Sequence, residues 1–173
     1  MTKFLKYSVL PIAAILAGCA GSGHGDRTAE AALKPTQGNA ASGTVSFRQE
    51  GDGVQVTARV SGLTPGAHGF HIHDKGDCSA PDATSAGGHF NPTGKAHGHP
   101  DHADHHAGDM PQLMADAAGN ATLSARLTGV GIGEGAGNIV GRGVIIHAAP
   151  DDFKTQPTGN SGARVACGVI AAR

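Results

Sequence analysis

From Ser42 onward the chain alternates apolar and polar positions with a period of two. Val45 and Phe47 flank Ser46, and Val54, Val56, Ala58 and Val60 are separated by Gln55, Thr57 and Arg59. Ala121, Leu123, Ala125 and Leu127 are separated by Thr122, Ser124 and Arg126. Successive side chains of a strand point to opposite faces, so this pattern predicts half-buried strands. Gly51-Asp52-Gly53 and Ala118-Gly119-Asn120 interrupt the runs and predict tight turns. Gly143 to His147 is a short apolar run that ends in a histidine, and Ala166 to Ala171 predicts a last strand. No long stretch carries the period of an amphipathic helix. The pattern predicts an all-β domain, a β-sandwich or flattened barrel. Two stretches do not alternate, roughly Lys75 to Pro111 and Ala148 to Val165. Loops of that length inside a compact domain are usually functional.

The N-terminal part reads differently. Lys3 and Lys6 precede a short apolar stretch, Val9 to Ala17, too short to cross a bilayer, which takes about 20 residues. Residues 1–18 therefore read as a signal peptide. The stretch ends in Leu16-Ala17-Gly18-Cys19, which resembles the bacterial lipobox, in which the chain is cut before the cysteine and the thiol is acylated. This predicts an exported lipoprotein of the bacterial cell envelope: periplasmic and anchored to a membrane through lipidated Cys19. Ala20 after the cysteine favours the outer membrane. Residues 19–41 are rich in Gly, Ser, Ala and charge and read as a flexible tether, with at most a helical turn at Glu30 to Lys34. The folded domain is then expected over 42–173.

Composition narrows the picture. A length of 173 residues suits one domain plus a leader. Aromatic residues make up 3% and Trp is absent, so the core must come from Val, Ile, Leu and Ala. The 28 glycines follow no repeat and fit many turns. A net charge of −1, with no basic stripe, excludes nucleic acid as a partner. The chain has three cysteines, and with Cys19 lipidated, Cys78 and Cys167 remain as a pair that an oxidising compartment would close.

The 11 histidines are the strongest signal. His71 and His73 are two apart on a strand, so both rings reach one ion. His89, His97, His106 and Asp109 follow on one loop, a donor set that suits four-coordinate zinc. His147 ends a separate strand. The His-rich loop alone would also fit a loose metal sponge. Gly69-Phe-His-Ile-His73, Cys78, Gly88-His89-Phe-Asn-Pro92, His106-Ala-Gly-Asp109, Gly141-Arg-Gly-Val-Ile-Ile-His147 and Gly162-Ala-Arg164-Val-Ala-Cys167-Gly-Val-Ile170 together resemble the copper/zinc superoxide dismutase family. The resemblance runs in order from about residue 42 to the end.

That resemblance implies a Greek-key, flattened eight-stranded barrel with two long functional loops, and the dismutation of superoxide. It implies one copper held by His71, His73, His89 and His147, and one zinc held by His89, His97, His106 and Asp109. His89 would bridge the two ions. Cys78 and Cys167 would form the intrachain disulfide, and Arg164 would stand beside the copper and attract the superoxide anion. Asp151 would support one copper ligand and one zinc ligand, and Thr158 would line the channel. Family members include monomers and dimers, so a homodimer is compatible. The chain departs from the family in two places. His99, His102 and His105 add imidazoles to the zinc loop, for metal capture or as tolerated surface. Pro157 stands where members often carry a lysine, which leaves Lys154 and Lys75 as sources of positive field. A non-catalytic lipoprotein that buffers copper or zinc is the alternative, but it would need neither Arg164 nor a shared His89.

Overall fold

The computed structural model describes residues 1–2 and 27–173. Strands run in chain order as β1 (Thr28–Pro35), β2 (Ser42–Glu50), β3 (Gly53–Ser61), β4 (Gly66–His68), β5 (Phe70–His73), β6 (Leu113–Ala115), β7 (Ala121–Thr128), β8 (Gly143–His147), β9 (Arg164–Val169) and β10 (Ala171–Ala172). The period-two runs behave as expected: Val45, Phe47, Val54, Val56, Ala58 and Val60 are buried in one core, and their polar neighbours face outward or lie half-buried. The main sheet has eight strands in the order β5-β8-β9-β1-β2-β3-β7, with β10 added to β1. β4 pairs with β6. Because β4 runs into β5 and β6 turns into β7, this short ladder ties the two edges of the main sheet and closes a flattened barrel. The all-β architecture is as the sequence predicts.

The expected tether is not. Thr28–Pro35 is a strand inside the main sheet, paired with β2 from Thr28↔Arg48 to Leu33↔Gly43 and with β9 at Lys34↔Cys167. Ala29, Ala31 and Leu33 are buried and alternate with Glu30, Ala32 and Lys34, so Glu30 to Lys34 is extended rather than helical. The signal is period two, written in small residues that contrast weakly with their neighbours. The folded domain therefore begins by Thr28, not at Ser42. Residues 3–26, which hold most of the expected signal peptide and Cys19, lie outside the described residues.

Two strands carry the site because both of their faces are covered. In β5 and β8 every residue is buried. Phe70, Ile72, Val144 and Ile146 enter the main core. His71, His73, Ile145 and His147 alternate with them and so point to the opposite face. β5 is an edge of the main sheet, and the long loop after it covers that edge. The Ile72 N–H donates to Gly108 O (2.8 Å), Ile72 O accepts from Phe90 N–H (2.8 Å), and Gly108 N–H donates to Phe90 O (2.9 Å). A Cβ on Gly108 would lie 2.3 Å from Ile72 O, so only glycine allows this approach. The result places His89 beside His73 and Asp109 beside His71. The Cys78–Cys167 disulfide pins the same loop to β9, packed with Ala83, Ala86 and Ile145. Its sequence separation of 89 residues constrains the unfolded chain by about 4–5 kcal/mol in the loop-entropy account.

Candidate metal centre

His71, His73, His89 and His147 converge, their ligand atoms all within 4.8 Å of one another. In each ring one nitrogen is held by the protein and the other faces the common point. His71 Nε2–H donates to Asp151 Oδ2 (2.7 Å), His73 Nδ1–H to Gly87 O (2.9 Å), and His147 Nδ1–H to Gly162 O (3.2 Å). Carbonyls and carboxylates only accept, so these contacts fix the tautomers and leave the lone pair on the opposite nitrogen. Those opposite atoms, His71 Nδ1, His73 Nε2 and His147 Nε2, are buried without a partner, as is His89 Nε2. An unmet buried polar group costs roughly 1–3 kcal/mol. Four of them aimed at one point form a set built for an ion.

The second set is His89, His97, His106 and Asp109. Asp109 Oδ1 lies 2.8 Å from His89 Nδ1, 3.0 Å from His97 Nδ1 and 3.5 Å from His106 Nδ1. His106 Nδ1 and His89 Nδ1 are 3.4 Å apart. Ligands about 2.0–2.1 Å from a tetrahedral ion stand roughly 3.3 Å from one another, which is this spacing. The other oxygen of Asp109 accepts from the backbone N–H of His106 (2.8 Å) and Gly98 (3.2 Å), which orients the carboxylate. His89 belongs to both sets, one through each ring nitrogen.

Asp151 links the sets from behind. Its Oδ2 holds His71 and its Oδ1 accepts from His97 Nε2–H at 2.9 Å. Gly159 lies over this contact with φ +65°, and a Cβ there would fall 1.7 Å from Asp151 Oδ1. Three further supports escaped the sequence reading. Gln156 clamps the His97 backbone in both directions, its Oε1 accepting from the N–H and its Nε2 donating to the carbonyl, each at 2.8 Å. Gln112 Oε1 accepts from the Asp151 N–H (3.0 Å), and His68 Nδ1 lies 2.7 Å from the His147 carbonyl. Nothing in residue type or spacing separates those glutamines from solvated loop residues. The His68 position shows as a histidine two before Phe70, and only the fold gives it a partner.

Arg164 flanks the first set through His147 and Gly87. Its backbone pairs with His147 across β8 and β9. Its guanidinium donates from Nη1 to Ala83 O (2.7 Å) and from Nη2 to Gly87 O (2.6 Å), the carbonyl that also holds His73. Burial lowers its pKa, but a guanidinium stays charged. With Thr36, Asn39, Thr84 and Gly162 it lines an open depression of about 330 Å³. The Lys75 stem passes beside Gly87, and Lys154 is exposed on the second loop.

Electrostatics divide the two sets. Burial, then neighbouring rings, pushes His147 down to about 3. Burial takes His73 well below its usual value, and it lowers His89 to about 4 despite Asp109. Burial also lowers His71, partly offset by Asp151. At neutral pH these rings are neutral and ready to ligate. His97 is the exception: burial opposes its charge, but Asp109 and Asp151 on either side raise it to about 9. Asp109 and Asp151 in turn are held well below the carboxylate range by their imidazoles, against the effect of burial.

An ion entering the second set must displace the His97 proton, because ligands bind deprotonated. Zinc added to metal-free protein is expected to release about one proton from His97 at pH 7–8, so its affinity climbs toward pH 9 and then levels. Calorimetry in buffers of different ionisation enthalpy checks this; zinc binding with no proton release at pH 7 would contradict it.

Comparison with known proteins agrees with this geometry. The family model for copper/zinc superoxide dismutase matches residues 41–170, which include every residue of both sets. The Cu-Zn superoxide dismutase 2 of Brassica juncea is 45% identical over 135 residues, covering 74% of this chain and 88% of that protein. The crystal structure of the clock protein EA4 aligns with a TM-score of 0.76 at 36% identity, covering 84% of this chain and 94% of that one. The chain belongs to the copper/zinc superoxide dismutase family, and its reaction is the dismutation of superoxide with copper and zinc as cofactors.

Proposed function

We propose that His71, His73, His89 and His147 hold the copper, and that His89, His97, His106 and Asp109 hold the zinc. The observation that carries this is the His89 ring, with Nε2 unpartnered in the first set and Nδ1 inside the second. An all-imidazole set suits copper, and three imidazoles with a carboxylate at tetrahedral spacing suit zinc. Bound copper supplies one-electron redox chemistry, which zinc lacks.

The chain's own groups do the remainder. The Arg164 guanidinium, tied to the Gly87 carbonyl that also holds His73, draws a small anion toward the copper side, where a low-dielectric wall focuses its field. His89 Nε2 lies where it can accept a proton and give it up again. Asp151 keeps His71 and His97 in register so that the His89 ring does not turn when that proton moves. The balance is two superoxide anions and two protons to one oxygen and one hydrogen peroxide. One superoxide loses an electron. The other gains it and takes two protons, one from His89 Nε2 and one from water.

Copper- and zinc-loaded protein is expected to remove superoxide fast, and His147→Ala is expected to abolish removal. Arg164→Ala is expected to keep both metals but lose about tenfold or more in rate at low ionic strength, with a flatter salt dependence. Stopped-flow decay of superoxide at several salt concentrations measures both. An Arg164→Ala rate equal to wild type at low salt would contradict the steering role.

We also infer that the chain is exported and tethered to a membrane of the bacterial envelope through Cys19. Lys3 and Lys6, the apolar stretch Val9 to Ala17 and the sequence Leu16-Ala17-Gly18-Cys19 support this, and Ala20 favours the outer membrane. Acyl chains gain about 0.8 kcal/mol per buried CH₂, and two or more make attachment stable. In that oxidising compartment the Cys78–Cys167 disulfide persists. Labelled palmitate is expected in the wild type and absent from Cys19→Ser, which should move to the soluble fraction; a labelled Cys19→Ser variant would contradict the anchor.

A further inference from the structure

The loop between His97 and His106 carries more imidazole than the buried centre uses. His99 is half-exposed and His102 exposed. The His102 N–H donates to His99 O at 2.9 Å, closing a turn around Pro100 and Asp101. That turn brings the two rings to a centroid separation of 5.5 Å. The rings of the second buried set supply an internal ruler: His89–His97 is 5.2 Å, His89–His106 is 5.4 Å and His97–His106 is 5.5 Å. His99 and His102 thus match the ring spacing of the second set, although among the described residues only the two buried sets have three or more donor atoms within 4.8 Å of one another. Asp101 Oδ2 lies 3.7 Å from His99 Nδ1 and adds a carboxylate on the same turn. Phe153 packs edge-on against the His99 ring, with centroids 4.6 Å apart, and restrains one side of it.

His105 is a different case. Its Nδ1–H donates to His106 O at 2.6 Å, and its ring stacks on no other ring among the described residues. The extra histidines therefore divide into a facing pair and one ring tied to backbone.

We propose that His99 and His102, with Asp101, form a third, surface site for a divalent ion that favours imidazole, Zn(II) or Cu(II). Two ring nitrogens and one carboxylate oxygen are a fitting donor set for either. Ligation through His99 Nδ1 gives up one exposed hydrogen bond, from the Asp101 N–H at 3.2 Å, which water can replace. The exposed His102 ring makes no hydrogen bond to the described residues, so none has to break for it to turn toward an ion. Water fills the remaining positions, so the ion exchanges freely, unlike those of the buried sets. The site lies on the loop that supplies His97 and His106.

The test uses protein with both buried sets filled, titrated with Zn(II) under equilibrium dialysis and counted by atomic spectroscopy. The wild type is expected to take a third equivalent. The double variant His99→Ala, His102→Ala is expected to stop at two while removing superoxide at the wild-type rate. With Cu(II) as the probe, a second cupric resonance with imidazole nitrogen hyperfine structure is expected in the wild type and not in the double variant. A wild type that stops at two equivalents, or a double variant that keeps the third, would overturn the proposal. The proposal rests on the buried assignments only for His97 and His106; an error there would change the count of two tight ions in both proteins alike.

Discussion

The His89 ring has a ligand set on each of its nitrogens, and the rest of the fold serves to keep it between them. Its backbone lies against His73, and the Phe90–Ile72–Gly108 hydrogen bonds hold the loop to the edge of β5. Asp151 spans the gap from behind by gripping His71 with one oxygen and His97 with the other. A ring held only from one side could swing away from either set. Held at both, it keeps its place between the two sets.

The arrangement sets folding against function. Several imidazoles are buried with one nitrogen unmet, a cost that a hydrophobic core would not carry. The fold offsets it with covered strands and covalent closure. β5 and β8 place Phe70, Ile72, Val144 and Ile146 on one face and His71, His73 and His147 on the other, so that the same strands build the core and the site. The disulfide holds the loop whose Ala83 and Gly87 carbonyls seat Arg164, so the position of that guanidinium depends on the same closure. Glycine is required where backbone or carboxylate must come close, at Gly108 against Ile72 and at Gly159 over Asp151.

Much of this was legible in the sequence because the physics is periodic. The alternation around Val45 and Val54 predicts strands, and the spacing of His71 and His73 places two rings on one face. The ligands drawn from the long loop and from β8 needed the family resemblance, since no local period joins His89 to His147. β1 escaped because its inward residues are Ala29, Ala31 and Leu33, too small to stand out from the Gly- and Ala-rich sequence around them. Gln112, Gln156 and His68 escaped for another reason: each acts through backbone groups of a distant ligand, and such contacts leave no trace in composition. The trio His99, His102 and His105 reads as one cluster in sequence, but the turn at Pro100 pairs only the first two.

The shared ring is tested most directly by filling both sets with Cu(II) and recording the paramagnetic resonance spectrum. Two cupric spins joined through one imidazolate couple strongly. The account predicts that the normal cupric signal collapses when the second copper enters and that it returns on replacing that copper with zinc. Two independent cupric signals of full intensity would show that His89 does not join the sites, and would contradict the account at its centre.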